Sequence, residues 1–134
     1  MTNLAIIQPD GWPAPCGYSN AICSTGRTIS LSGQIGWNPV TGEIESTDFA
    51  AQVGQALRNV VTILDRAGAG PEHLVRMTWF VTDRDKYMEA RAKVGELYRA
   101  IIGRHYPAMS VVIVNALIEH GAHVEIEATA VVPQ

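Results

Sequence analysis

Residues 109–117, Met-Ser-Val-Val-Ile-Val-Asn-Ala-Leu, limit the fold more than any other stretch of this chain. They follow the turn proline Pro107 and read as a strand with Met109, Val111, Ile113 and Leu117 on one side and Val112, Val114 and Ala116 on the other. A strand that is apolar on both sides needs cover on both sides. The chain supplies helices enough for one covering layer, so the second face has to be closed from outside, and a homo-oligomer is expected.

The helices themselves are legible from spacing. Val53, Ala56, Leu57, Val60, Val61 and Leu64 recur at helical intervals between Asp48 and Ala67, with Thr47 or Asp48 as N-cap and Gly68 as terminator. A second helix is expected from about Asp85 to Arg104. Between them, "HLVRMTWFVTD" alternates with β-branched and aromatic content and predicts a strand of about eight residues. "SNAICSTGRTISLSGQIGWNPVTGE" predicts two strands joined as a hairpin at Thr25-Gly26, then turns at Asn38-Pro39 and Thr41-Gly42. A last strand runs from His123 to Val132, and "LAIIQ" offers a further one near the N-terminus. Helices that connect strands of one sheet favour right-handed crossovers, which place both on the same face of an α+β fold.

Composition narrows the function classes. A chain of 134 residues with 47% hydrophobic content is expected to form a single domain, residues 1–134, around one core. No apolar run approaches the roughly 18 residues of a membrane span, and "MTNLAIIQPDGW" lacks the regions of a signal peptide, so a cytoplasmic protein with no membrane partner is expected. Cys16 and Cys23 read as free thiols in a reducing compartment, Cys16 as a small buried residue. A net charge of -3, with ten scattered basic residues, argues against a nucleic-acid partner, because phosphate binding rests on clustered Lys and Arg.

Two residues break the pattern. In "HVEIEATAVV", Val124, Ile126, Ala128 and Ala130 face one way, which leaves Glu125, Glu127 and Thr129 facing the other, toward the oligomer. A carboxylate there is paired with a base, solvated in a cleft or held for chemistry. On the second helix, Arg91 shares a stripe with Tyr87, Val94, Tyr98 and Ile101; it either snorkels outward, pairs with a carboxylate or reaches a ligand. His105, His120 and His123 lack a recognised ligand spacing, so no metal is expected.

Taken together, "SLSGQIGWNPVTGE", "AAQVGQALRNVVTILDRAGAGPEHLVRMTWFVTD", "YPAMSVV" and "HVEIEATAVV" resemble the Rid (reactive-intermediate deaminase, YjgF-type) family, also labelled L-PSP endoribonuclease, from about Tyr18 to Val132. The resemblance implies a chorismate-mutase-like mixed sheet of about six strands with two helices on one face. It also implies a homotrimer around a central barrel, with clefts for a small-molecule ligand between adjacent subunits. The best-known members use no cofactor and hydrolyse small enamines and imines to a 2-oxo acid and ammonia.

Carried over onto this chain, the family pattern makes Glu125 the catalytic carboxylate that positions water or moves a proton. Ser32 and Gly33 orient the ligand, and Tyr18 closes the cleft. The chain departs from the pattern where an arginine clamps the substrate carboxylate: Met109 stands there, and Val111 replaces a frequent cysteine. Losing such a charged contact typically costs about 2–5 kcal/mol. Arg91 stands where the family often has asparagine, which makes it the candidate replacement anchor, above an apolar floor of Met109 and Val111. Two functions follow: an enamine/imine deaminase-like hydrolase of altered substrate range, or a non-catalytic trimeric metabolite-binding or regulatory protein.

Overall fold

Strand β6 (Val124–Val132) holds the middle of the structure because its even-numbered residues are apolar and its length spans the core. Val124, Ile126 and Ala130 are fully buried, and Ala128 nearly so. In the computed structural model, which describes residues 3–134, β6 lies between β3 (Arg27–Ile35) and β4 (Leu74–Val81) and runs antiparallel to both. Strand β5 (Ala108–Ile113) pairs parallel to β4 on the outside, which gives a mixed sheet in the order β3-β6-β4-β5.

Helix α1 (Phe49–Arg66) connects β3 to β4, and α2 (Arg84–Ile101) connects β4 to β5. The predicted apolar stripe of α1 is dry: Val53, Ala56, Leu57, Val60 and Leu64 are wholly buried against the sheet. Asp48 is the N-cap and accepts from the Ala51 N–H at 2.9 Å. At the other end Gly68 takes φ +77, and Gly68 and Ala69 donate to the Asp65 and Leu64 carbonyls, a Schellman closure that glycine makes without steric cost. Helix α2 is capped by Asp83, which accepts from Lys86 N–H. It packs beside α1, where Phe49 and Tyr87 meet edge to face at 6.2 Å.

Two polar side chains of α1 fix the loops around the sheet. Gln52 donates to the carbonyls of Ser46 and Gly121, both at 2.8 Å, and accepts from His123 N–H at 2.8 Å. Asn59 donates to the carbonyls of Ile35 and Trp37. Gly36 passes so close to the helix that a Cβ there would lie 2.7 Å from the Gln52 Cα, so the exit of β3 requires glycine.

The α+β architecture with two helices on one face agrees with expectation, but the six strands do not form one sheet. Four make the mixed sheet, and β1 (Leu4–Ile7) and β2 (Ala21–Ser24) form a separate antiparallel ribbon. Thr25-Gly26 is therefore no hairpin: β2 pairs with β1, and β3 pairs with β6 from Arg27↔Val132 onward. Gly26 adopts φ +148 with the Val132 backbone hard against it, which turns the chain directly onto β6 and away from β2. Helix α2 begins at Arg84 and ends at Ile101, before the expected Arg104, and β5 stops at Ile113 rather than Leu117.

The sheet face away from the helices is largely polar, carrying Ser30, Thr78, Glu127 and Thr129. Within this sheet, the exposed apolar side chains lie at the outer strand, where Val111, Val112 and Ile113 are 38%, 39% and 50% exposed. That edge is the surface an oligomer would close.

Because Leu57 is a large side chain of α1 wholly buried in the core, Leu57→Ala should destabilise the protein by about 2–5 kcal/mol, read as a lower urea midpoint at unchanged slope.

Candidate functional site

The residues singled out from the sequence fall into two groups, and the strand register separates them. The first lies in a bulge of β3. Pairing with β6 shifts between Leu31 and Gln34, leaving Ser32 and Gly33 out of register. Bulges bend a strand and re-aim its neighbours. Here the space above Gly33 is filled by the Glu125 side chain, whose Cδ and Cγ would lie 2.6 and 2.7 Å from a Cβ at that position. Glycine is needed for this close approach, since any side chain would push the carboxylate away. Ser32 is exposed beside it, and its carbonyl accepts from the Gln34 amide. The half-buried Glu125 carboxylate makes no hydrogen bond or ion pair among the described residues.

The second group lines a groove of about 470 Å³ between α2 and β5. Met109 and Trp79 form its floor, Tyr98 and Tyr106 one wall, and Arg91 and Arg99 its charged rim. Tyr87, Val94 and Gly95 complete the helix side, and Cys16 and Gly17 close the opposite end. Met109 is held by parallel pairing with Met77, which places it on the helix side of the sheet. The Tyr98 and Tyr106 rings stack at 5.3 Å, and Tyr98 donates its hydroxyl to the His105 carbonyl at 2.6 Å.

Burial pushes the Tyr98 phenol well above its ordinary value of 10.0, with Tyr106 adding to the shift. Tyr87 is raised for the same reason, though the Arg91 charge pulls it partly back. Both stay neutral donors near neutral pH. Arg91 is exposed; its Nε donates to the Met88 carbonyl at 3.3 Å, and it has no carboxylate partner among the described residues. The Trp79 side chain is 3% exposed, and its indole N–H has no hydrogen-bond partner among the described residues. A stranded buried donor costs about 1–3 kcal/mol until something accepts from it.

The remaining assignments divide. Tyr18 is exposed next to Gly17, at the point where Ser19 bridges to Ala108 at the start of β5, but it does not line the groove. Val111 lies on the helix side opposite Trp79, exposed at the sheet edge and outside the groove, so the expected floor of Met109 and Val111 reduces to Met109. Cys16 is not buried: it is exposed at the mouth of the groove, and both cysteines are free thiols. Arg99, Trp79 and Tyr106 were not singled out from the sequence. Only the Trp79 indole in a buried strand and Arg99 two turns beyond Arg91 carried a signal.

Glu125 stands opposite Phe80, on the face away from the helices, whereas Met109 stands beside Met77 with the helices. One chain therefore cannot bring the carboxylate and the groove into the same cleft. Among the described residues no group of three His, Cys, Asp or Glu side chains is placed to hold a metal, and no helix is long and apolar enough to cross a membrane.

A small α+β domain with two helices over a mixed sheet, and a carboxylate seated on a glycine bulge, is the class that comparison with known proteins identifies. Residues 12–132 match the family model described as Endoribonuclease L-PSP. A RutC family protein of Pasteurella multocida is 34% identical over 94% of this chain and 96% of its own length. The human 2-iminobutanoate/2-iminopropanoate deaminase is 35% identical over 85% of this chain and 79% of its own length. The crystal structure of the Rid family protein YyfB of Yersinia pestis superposes with a TM-score of 0.87 at 32% identity, covering 98% of this chain and all of that one. The E. coli TdcF structure with bound serine superposes at 0.67 with 34% identity, covering 95% of this chain and 98% of that one. The chain belongs to the Rid/YjgF (L-PSP) family.

A tyrosine held neutral by the fold stabilises it fully below about pH 10, the unfolded value, and progressively less as pH rises toward the folded value. Urea midpoints should therefore fall above that pH, and Tyr98→Phe should make the fall shallower.

Proposed function

We propose that this protein is an oligomeric enamine/imine deaminase-like hydrolase of altered substrate range. Its clefts are formed between subunits, with Glu125, Ser32 and Gly33 from one copy and Tyr18, Arg91, Met109 and Val111 from its neighbour. The observation that carries this reading is the placement of Glu125 and Met109 on opposite faces of one sheet. A cleft containing both needs two chains, and the exposed apolar edge at residues 111–113 supplies a surface for joining them. A closed trimer, as the family resemblance implies, satisfies both demands.

In this reading the substrate binds with its carboxylate toward Arg91. A bidentate guanidinium contact takes over the role that Met109 does not fill. The carbon chain lies on Met109, and the C=N carbon is presented to the neighbouring Glu125. Glu125 accepts a proton from water as the water oxygen bonds to the imine carbon. That proton passes to the imine nitrogen to complete a carbinolamine; the proton of its new hydroxyl then moves to nitrogen as the C–N bond breaks and the C=O forms, so ammonia leaves, a 2-oxo acid remains and no electrons are exchanged with a cofactor. Among the described residues the Glu125 carboxylate makes no hydrogen bond or ion pair, which supports this role because it leaves the oxygens available to water. The curated deaminase relatives support the reaction class. Met109, in place of a clamping arginine, favours the second reading: a trimer that binds a metabolite or a regulatory ligand without turning it over.

The two readings separate when 2-iminopropionate and bulkier imines are generated in situ and their loss is followed with and without the protein. The hydrolase reading expects acceleration of the bulkier imines, lowered about 10²–10⁴-fold by Glu125→Gln. No acceleration of any imine, together with gain of activity on 2-iminopropionate in Met109→Arg, identifies the binding module. The shared cleft has its own signature. Glu125→Gln and Arg91→Gln chains, each impaired alone, should regain about a quarter of wild-type activity when co-assembled in equal amounts, since that fraction of clefts in random trimers carries neither change. No recovery in verified mixed oligomers rejects the two-subunit site.

A further inference from the structure

The sheet face turned away from the helices carries charges that the proposed cleft does not use. Burial of Met77 and Trp79 commits Arg76, Thr78 and Phe80 of β4 to this face, and burial of Ile126 and Ala128 does the same for Glu125, Glu127 and Thr129 of β6. Register then sets the rows. Thr129 stands between Ser30 and Arg76, Glu127 stands beside Thr78, and Glu125 stands beside Phe80, with Val112 of β5 on the other flank of Phe80. Ser30, Arg76, Thr78, Glu127 and Thr129 line a recess of about 250 Å³.

Arg76 and Glu127 are diagonal neighbours across β4 and β6, and both are exposed. They do not pair with each other: the ion pairs among the described residues are Glu72 with His73 and Lys93 with Glu96, and neither side chain makes a hydrogen bond there. One recess therefore presents both signs of charge outward. A partner of a single sign would neutralise one of these side chains and repel the other. A second copy of the same face meets both, because in a closed ring the Arg76 of each chain can stand against the Glu127 of the next, with every charge used once. The recess is also continuous with the apolar edge. Val112, 39% exposed, shares the row of Glu125 and Phe80 and faces the same side.

We propose that successive copies meet on this face through ion pairs between Arg76 of one chain and Glu127 of the next. Glu127 lies two residues from Glu125 on the same side of β6, a separation of about 7 Å, so the pair also fixes where Glu125 stands against the neighbouring groove. This rests on the two-subunit reading above and adds to it an ionic contact, which makes assembly sensitive to salt.

Sedimentation velocity on the intact protein over a concentration series reads the midpoint of assembly. Raising sodium chloride from about 0.05 to about 0.5 M should raise that midpoint about tenfold, because screening weakens the pairs as they form. Arg76→Glu and Glu127→Arg each set like charges together and should raise it at least about a hundredfold. The double reversal restores opposite signs and should return assembly to within about tenfold of the wild type, a rescue that a merely structural role does not give. Where a reversal fails to fold by circular dichroism, the wild-type salt series and Arg76→Gln, which should abolish the salt dependence, decide the matter. A wild-type midpoint indifferent to salt, a folded single reversal without effect, or a folded double reversal that stays dissociated each overturns the proposal. Assembly is read without turnover. A salt-labile oligomer that hydrolyses no imine disproves the hydrolase reading and leaves this one standing, whereas a salt-indifferent oligomer that hydrolyses imines does the reverse.

Discussion

The structure depends on β6 lying antiparallel between two strands that are parallel to each other. That position forces one face of β6 to be dry, and Val124, Ile126 and Ala130 meet the demand by being wholly buried under the helices. The same alternation commits the intervening residues to the opposite face. Glu125 is there because Val124 and Ile126 are in the core, and a one-residue slip of β6 would bury the carboxylate and expose the apolar set. The bulge at Ser32–Gly33 then provides the room that the Glu125 side chain occupies.

The Glu125 carboxylate on one face and a cationic, aromatic groove on the other are separated by the sheet, and the proposed site joins them only across two copies. The exposed apolar edge at Val111, Val112 and Ile113 lies on the same strand as Met109. In the proposed reading, α2, where the arginines stand, recognises the substrate, and β6 carries the reaction.

Much of this was legible in the residues. The helix spacing of 53–64, the Asp48 cap and Gly68 terminator, and the alternation of β6 are local patterns, and they appear in the structure as read. The hairpin at Thr25-Gly26 failed because turn chemistry reports a reversal, not which strands pair afterwards; Val132, more than a hundred residues away, decided that β3 belongs with β6. Cys16 was misplaced for a similar reason. Its small apolar side chain suited a core, but the ribbon carries it past the end of the groove.

By itself, the sequence determined the class of fold and the alternation of β6, and it marked Glu125, Ser32, Gly33 and Arg91 as candidate site residues. These follow from periodicity, from residue type and from motifs that stand in order along the chain. Only the tertiary structure decided that Glu125 and Met109 lie on opposite faces, and that Arg91, Arg99, Trp79 and Met109 surround one cavity. Those groupings depend on strand order and on the parallel register of β4 with β5. Both are set by packing between segments far apart in the chain, which no local pattern encodes.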